Sequence, residues 1–258
     1  MTNTKGYKVQ AEMSGEGGSG LRRYQDLVIG SRRWRDLILY ELVQGVASWV
    51  PGALGLLLRK KLFPLLLGEC GRGVIFGRDV TLRHPGKIRI GEGSVIDDGV
   101  LLDAKGAEDS GIVLGRESFV GRGSVLSCKG GRIELGDRAN LGFHSEIFSS
   151  NRVTFGNDVL VAAYSYILGG GNYGTDPSRP INLQYDPQGK GGVTVGDDVW
   201  IGTHAVVTDG AEIGSGAVIG AGSVVTRAIP PYGIAVGTPA RVVRSRQGKD
   251  AASPEADA

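Results

Sequence analysis

Residues 193–225 read VTVGDDVWIGTHAVVTDGAEIGSGAVIGAGSVV, and an aliphatic residue returns at every sixth position: Val195, Ile201, Val207, Ile213, Ile219 and Val225. Toward the N-terminus the same spacing runs through Phe155, Val161 and Ile167; Leu135, Leu141 and Ile147; Leu114, Val120 and Leu126; Ile90, Ile96 and Leu102; and Phe76 and Leu82. All twenty positions are Phe, Leu, Ile or Val, and eleven are followed directly by glycine, which suits a sharp corner. The third position of a triplet never has glycine next, and every extra residue in the series falls after one. The spacing there is 8, 12, 9, 8, 28 and 6 residues. Three six-residue faces therefore close one triangular coil, with insertions confined to the closing corner. Coils stacked about 4.8 Å apart place each inward residue on its equivalent in the next coil, and each burial stabilises by roughly 1.5 to 3 kcal/mol.

The 258 residues are 41% hydrophobic, enough for one sizeable core. The 44 glycines lack a Gly-X-Y period and come with only 10 prolines, which excludes collagen. A net charge of +2 with scattered aromatic residues provides neither a basic stripe nor a stacking platform, so nucleic acid is not an expected partner. Cys70 and Cys128 are the only cysteines, and no signal peptide is recognised, which fits free thiols in a reducing cytoplasm.

Residues 1–20 are polar and glycine-rich and read as a disordered tail. From Leu21 to about Trp49 the pattern is helical, with Leu27, Trp34, Leu37, Ile38, Leu42, Val43 and Val46 forming one broad apolar face until Pro51-Gly52 ends it. The apolar stretch Ala53–Leu58 is far shorter than the roughly 20 residues a bilayer span needs. Two readings of residues 21–61 stand: helices that brace the coils, or an arginine-flanked surface lying on the inner face of a membrane. The expected organisation is a helical segment over 21–70, coils over 71–236 with an extended loop over 168–194, and a C-terminal extension and disordered tail over 237–258.

The segment from Val193 to Arg244, above all its WIG, GAGSVVT and GTPARVVR stretches, resembles the C-terminal half of hexapeptide-repeat acyltransferases such as the galactoside and maltose O-acetyltransferases. The resemblance implies a mainly β fold, a left-handed parallel β-helix of about seven triangular coils. It also implies a homotrimer that uses acetyl-CoA as co-substrate and acetylates a sugar hydroxyl, for instance on a surface-polysaccharide precursor. Trp200, Thr203, Ala221, Thr226, Arg227, Arg241 and Arg244 stand where such proteins line the acetyl-CoA groove. An arginine fork can hold two phosphate oxygens at once. A nucleotide-sugar pyrophosphorylase is disfavoured, because the roughly 70 residues before the repeats are fewer than a nucleotide-binding domain needs.

In proteins of this kind the long loop carries the catalytic histidine, yet here it reads LGGGNYGTDPSRPINLQYDPQGKGG and contains none; Asn172 takes the place. Asparagine cannot act as a general base, so Asn172 would orient the acceptor or hold a water, unless the glycine-rich stretch simply turns the chain. His144 lies one coil earlier and is the candidate base, with a polar corner residue as the alternative. His144 and His204 fall in the same slot two coils apart, about 9.6 Å, too far to share one zinc, and His84 lies elsewhere, so no metal is expected. Within one protomer His144 and Asn172 start from different corners. The remaining alternative is a non-catalytic repeat protein that has lost the loop histidine.

Overall fold

The computed structural model describes residues 19–105, 111–186 and 189–248. The chain winds into a left-handed parallel β-helix whose three faces are parallel sheets, each strand pairing with its equivalent one coil away. Inward residues meet in register: Leu82 pairs with Leu102, Leu141 with Val161 and Ile201 with Ile219. Phe76, Ile96, Leu126, Ile147 and Val225 are fully buried among them.

Three inward positions lie outside the six-residue series, Cys70, Ile229 and Ala235. Cys70 pairs with Ile90 and completes the first coil, and Ala235 pairs with Ile219 in a partial eighth coil begun by Ile229. Beyond it, Arg241–Ser245 turns back antiparallel on Gly233–Val236. The disordered tails expected over 1–20 and within 237–258 fall mostly outside the described residues; Gly20 is already helical.

The glycines after the inward residues have a different cause from the one expected. None of the eleven adopts a positive φ. A Cβ at Gly136 would come within 2.3 Å of the Gly156 carbonyl oxygen, and at Gly115 within 2.4 Å of the Gly136 backbone. Close stacking of the next coil, rather than backbone freedom, excludes a side chain there. The left-handed residues come two positions later, and at the second corner they are Asp79, Gly99, Gly123, His144, Tyr164, His204 and Gly222.

The N-terminal segment is three helices. α1 spans Gly20–Tyr24 and runs into a π-helical turn over Gln25–Ile29, α2 spans Trp34–Ala47, and α3 spans Gly52–Leu62. The single broad apolar face expected of this segment is two faces. Leu37, Tyr40, Val43 and Ala47 are buried, whereas Trp34, Ile38, Leu42 and Val46 are exposed. The buried face braces the first coil: Tyr40 donates to the Leu82 carbonyl at 2.7 Å, and Phe63 packs on Phe76 with ring centroids 5.2 Å apart. Buried Arg59 donates to the carbonyls of Phe76, Ala47 and Val50, tying α3, the end of α2 and the first coil together. The Ala53–Leu58 stretch, read as a short apolar run, lies inside α3. Among the described residues no helix is long and apolar enough to cross a membrane.

His84 fastens the π-helical turn. Its backbone N–H donates to the Val28 carbonyl at 2.7 Å and its Nε2 donates to the Asp26 carbonyl at 2.9 Å, with the ring lying over Gly30. Burial holds the imidazole below the ordinary histidine value of 6.5. With the folded pKa depressed, the neutral ring's contribution is complete above the unfolded value and is lost as pH falls below 6.5. Amide exchange over 25–29, corrected for intrinsic rates, should therefore lose protection between about pH 7.5 and about pH 5, and His84→Gln should remove that dependence. Equal protection at both values would contradict the assignment.

Candidate functional site

Corner two carries an aromatic stack. The Tyr164 ring lies between His144 and His204, at centroid distances of 5.4 and 5.2 Å and interplanar angles of 16° and 9°. All three residues hold the left-handed conformation, and each receives its backbone register from the coil before: the N–H groups of His144, Tyr164 and His204 donate to Arg122, Phe143 and Ala163. Spacing alone makes His144 and His204 equivalent; Tyr164 fills the same slot of the intervening coil, a role its residue type does not signal. Below the stack, Ser124, Ser145 and Ser165 repeat along the buried side. Each hydroxyl donates to the next coil's carbonyl, while the Ser124 and Ser145 hydroxyls also accept from the next serine's N–H. A row of paired hydroxyls fixes the corner, so the exposed His144 ring projects from a rigid base.

Two residues beyond His144, Glu146 stands half-buried on the outer row of the third face, paired in register with Val125 and Tyr166. Burial raises the Glu146 carboxyl above its usual range, and it raises the Tyr166 hydroxyl with a further push from Glu146. The sequence reading passed over this acid because it looks like an ordinary outward residue.

The long loop is a folded arm. Asn172–Tyr173 pairs antiparallel with Tyr185–Asp186, and the buried Gln184 amide closes the hairpin by donating to the Asp176 and Arg179 carbonyls at 2.8 Å each. Asn172 sits at the arm's root, where its amide donates to the Asp209 carboxylate. Asp209 is buried and also accepts from the N–H groups of Lys190 and Gly192. Asn172 and Asp209 thus lock the two ends of the arm to the third corner. His144 belongs to the second corner, and the described chain does not bring it to Asn172.

The residues assigned to the acetyl-CoA groove fall into three places. Trp200 lies on the outside of the second face, exposed, in one row with Val218, Ile234 and Arg244 across successive strands. Arg241 lies on the same closing strand. Thr203 and Ala221 occupy neighbouring coils at corner two, where the Thr203 hydroxyl donates to the Ala163 carbonyl at 2.7 Å. Thr226 and Arg227 lie at the third corner after Val225, away from Trp200. An open groove of about 470 Å³ runs beside Trp200, lined by Asp158, Leu160, Asp198, Val218 and Arg246. Arg246, two residues past the stretch that sequence reading used, pairs with Asp198 at 2.9 Å and donates to the Gly216 carbonyl at 2.8 Å.

Removing the lock should free the arm without unravelling the coils. Asp209→Ala should strip exchange protection from the Lys190 and Gly192 amides, a loss of roughly 1 to 3 kcal/mol per unmatched buried partner, while the melting midpoint of the coils changes little. Unchanged protection at 190 and 192 would show that Asp209 does not hold the arm.

The family profile described as bacterial transferase hexapeptide (six repeats) matches residues 192–227. A probable acetyltransferase of Mycobacterium tuberculosis is 32% identical over 62% of this chain and 55% of its own length. The galactoside O-acetyltransferase of Escherichia coli is 35% identical over 49% of this chain and 60% of its own. The chain thus spans little more than half the length of these two relatives. A variant of AntD, an N-acyltransferase from Bacillus cereus solved with dTDP and coenzyme A, superposes with a TM-score of 0.50 at 23% identity over 78% of this chain and 92% of that one, a likeness of fold. The six-residue repeats wind into parallel coils, and the profile of bacterial transferase hexapeptide repeats matches the sixth and seventh of them.

Proposed function

We propose that the protein is an acetyl-CoA-dependent O-acetyltransferase that acetylates a sugar hydroxyl, on a surface-polysaccharide precursor carried by a nucleotide or a lipid, as a cytoplasmic homotrimer at the inner face of a membrane. The observation that carries the reading is the row Trp200, Val218, Ile234, Arg244 beside an open groove, in and next to the repeats that match the transferase profile. An aromatic wall suits the pantetheine arm, and the Arg241 and Arg244 guanidiniums suit phosphates. The outer row of the third face is half-buried, with Leu101, Val125, Val206 and Val224 flanking Glu146 and Tyr166, which suits contact between protomers.

In this reading His144 accepts the acceptor hydroxyl's proton as that oxygen attacks the thioester carbonyl. The tetrahedral intermediate collapses with loss of the CoA thiolate, which takes the proton back from the imidazolium. Tyr164 holds the ring plane. Asn172, on a neighbour's arm, positions the acceptor. The non-catalytic reading draws on one observation, the engagement of Asn172 with Asp209, which leaves its amide partly committed to structure.

Incubation with acetyl-CoA and a panel of galactosides, maltose and dTDP-sugars, read by mass spectrometry and by release of free CoA thiol, should yield a singly acetylated sugar. Acetyl-CoA binding with neither sugar acetylation nor thioester hydrolysis would favour the non-catalytic reading. His144→Ala should lower kcat by roughly 10²-fold or more with little change in KM for acetyl-CoA. A normal kcat in that variant would remove His144 as the base.

A further inference from the structure

The helical segment buries one face and leaves another bare. On α2, Trp34, Ile38, Leu42 and Val46 recur at four-residue intervals on the side opposite Leu37, Tyr40, Val43 and Ala47, and all four are half or more exposed. Trp49 extends the stripe beyond the helix, and Leu54 and Leu57 of α3 add to it. Beside it an apolar groove of about 550 Å³ opens between α1 and α2, lined by Leu21, Tyr24, Leu37, Ile38, Glu41 and Leu42. Contiguous exposed apolar surface on this scale marks an interaction site.

Charge decides between occupants. Residues 20–65 hold eight basic and three acidic residues, a net +5 in a chain whose total is +2, so the rest of the molecule is net negative. The three acids are engaged within the segment: Asp26 with Arg32 at 2.8 Å, Asp36 with Arg33 at 2.9 Å, and Glu41 with the Tyr24 hydroxyl. Arg22, Arg35, Lys60 and Lys61 are exposed around the apolar stripe. A second copy docked face to face would set two such basic rims against each other, and like charges so placed oppose association. An anionic bilayer reverses the sign of that interaction. Tryptophan stands at both ends of the stripe: the Trp49 N–H is satisfied by the Gly45 carbonyl at 2.8 Å and leaves an apolar ring outward, while exposed Trp34 suits the headgroup boundary, where ring body and polar N–H each find their solvent. None of the helices that carry this surface is long and apolar enough to span, so the surface would lie on the bilayer rather than cross it.

We infer that the stripe Trp34, Ile38, Leu42, Val46 and Trp49, with Leu54 and Leu57 and their basic rim, docks this protein onto anionic phospholipid. The inference deepens the proposed placement of the enzyme at a membrane, where a lipid-borne acceptor would be found. Vesicle binding is read without any acetyl transfer, so either can fail alone. Tight bracing of the opposite face by Tyr40, Arg59 and Phe63 means that the docking surface is preformed.

The full chain should float with vesicles of phosphatidylglycerol and phosphatidylcholine, weakly with phosphatidylcholine alone, and less as salt rises. Trp34→Ser with Leu42→Ser, and separately Arg35→Gln with Lys60→Gln and Lys61→Gln, should each weaken anionic-vesicle binding by roughly tenfold or more. These side chains are exposed, so the melting midpoint should stay near that of the parent, which separates loss of docking from loss of fold. No flotation by the parent, or equal binding to both vesicle types, would overturn the inference. Loss of a higher oligomer in light scattering on Trp34→Ser with Leu42→Ser, without vesicle binding by the parent, would reassign the face to a second copy.

Discussion

Coil-on-coil stacking is the constraint on which everything else depends. The strands of the coils pair in parallel with their equivalents one coil away, so each side chain is set above the same position of the preceding coil. Inward positions must then be aliphatic along whole rows. The residues that follow them must be small enough to let the next backbone approach, as Gly136 does against Gly156. The corners inherit the same repetition. A ring that leaves the second corner in one coil finds the second corner of the next directly beneath it, which is how His144, Tyr164 and His204 become one stack.

That constraint explains what could be read from the amino acids alone. Twenty inward residues of one chemical kind at a fixed interval define the coils, and insertions confined to one corner define the triangle. Cys70 and Ala235 escaped notice because neither is one of the four residue types in the series, although each fills the same inward slot. The glycines were seen, but their reason was not. A turn and a close contact both call for glycine, and only the coordinates distinguish a missing positive φ from a missing 2.3 Å gap. The helices were located in outline, but their faces were merged. Trp34 and Leu37 are both large and apolar and so fall on one face by pattern, whereas Tyr40, with its hydroxyl, and the small Ala47, which both reach the coils, do not stand out.

The candidate site was half legible for a similar reason. Residues in register with a repeat, such as His144 and Trp200, could be placed on a corner or a face by counting. Contacts made between an insertion and the coils could not. Asp209 is unremarkable in its own repeat, and its role comes from gathering Asn172, Lys190 and Gly192 across the arm's root. Arg246 lies one residue past the folded-back strand, whose antiparallel return brings it to Asp198 from a distant part of the chain. The expected groove residues likewise divide: Trp200 and Arg244 share a row, while Thr226 and Arg227 point to another corner.

The proposed site divides its labour between protomers, with the proposed base on one second corner and the proposed acceptor-positioning amide on a neighbour's arm. Mixing His144→Ala and Asn172→Ala protomers tests that division most directly, because a shared site assembled from one defective chain and its neighbour can be intact. Unfolding and refolding the two inactive variants together should restore a measurable fraction of acetyl transfer that neither regains when refolded alone. Mixed assemblies no more active than the separate variants would contradict a site built across the interface.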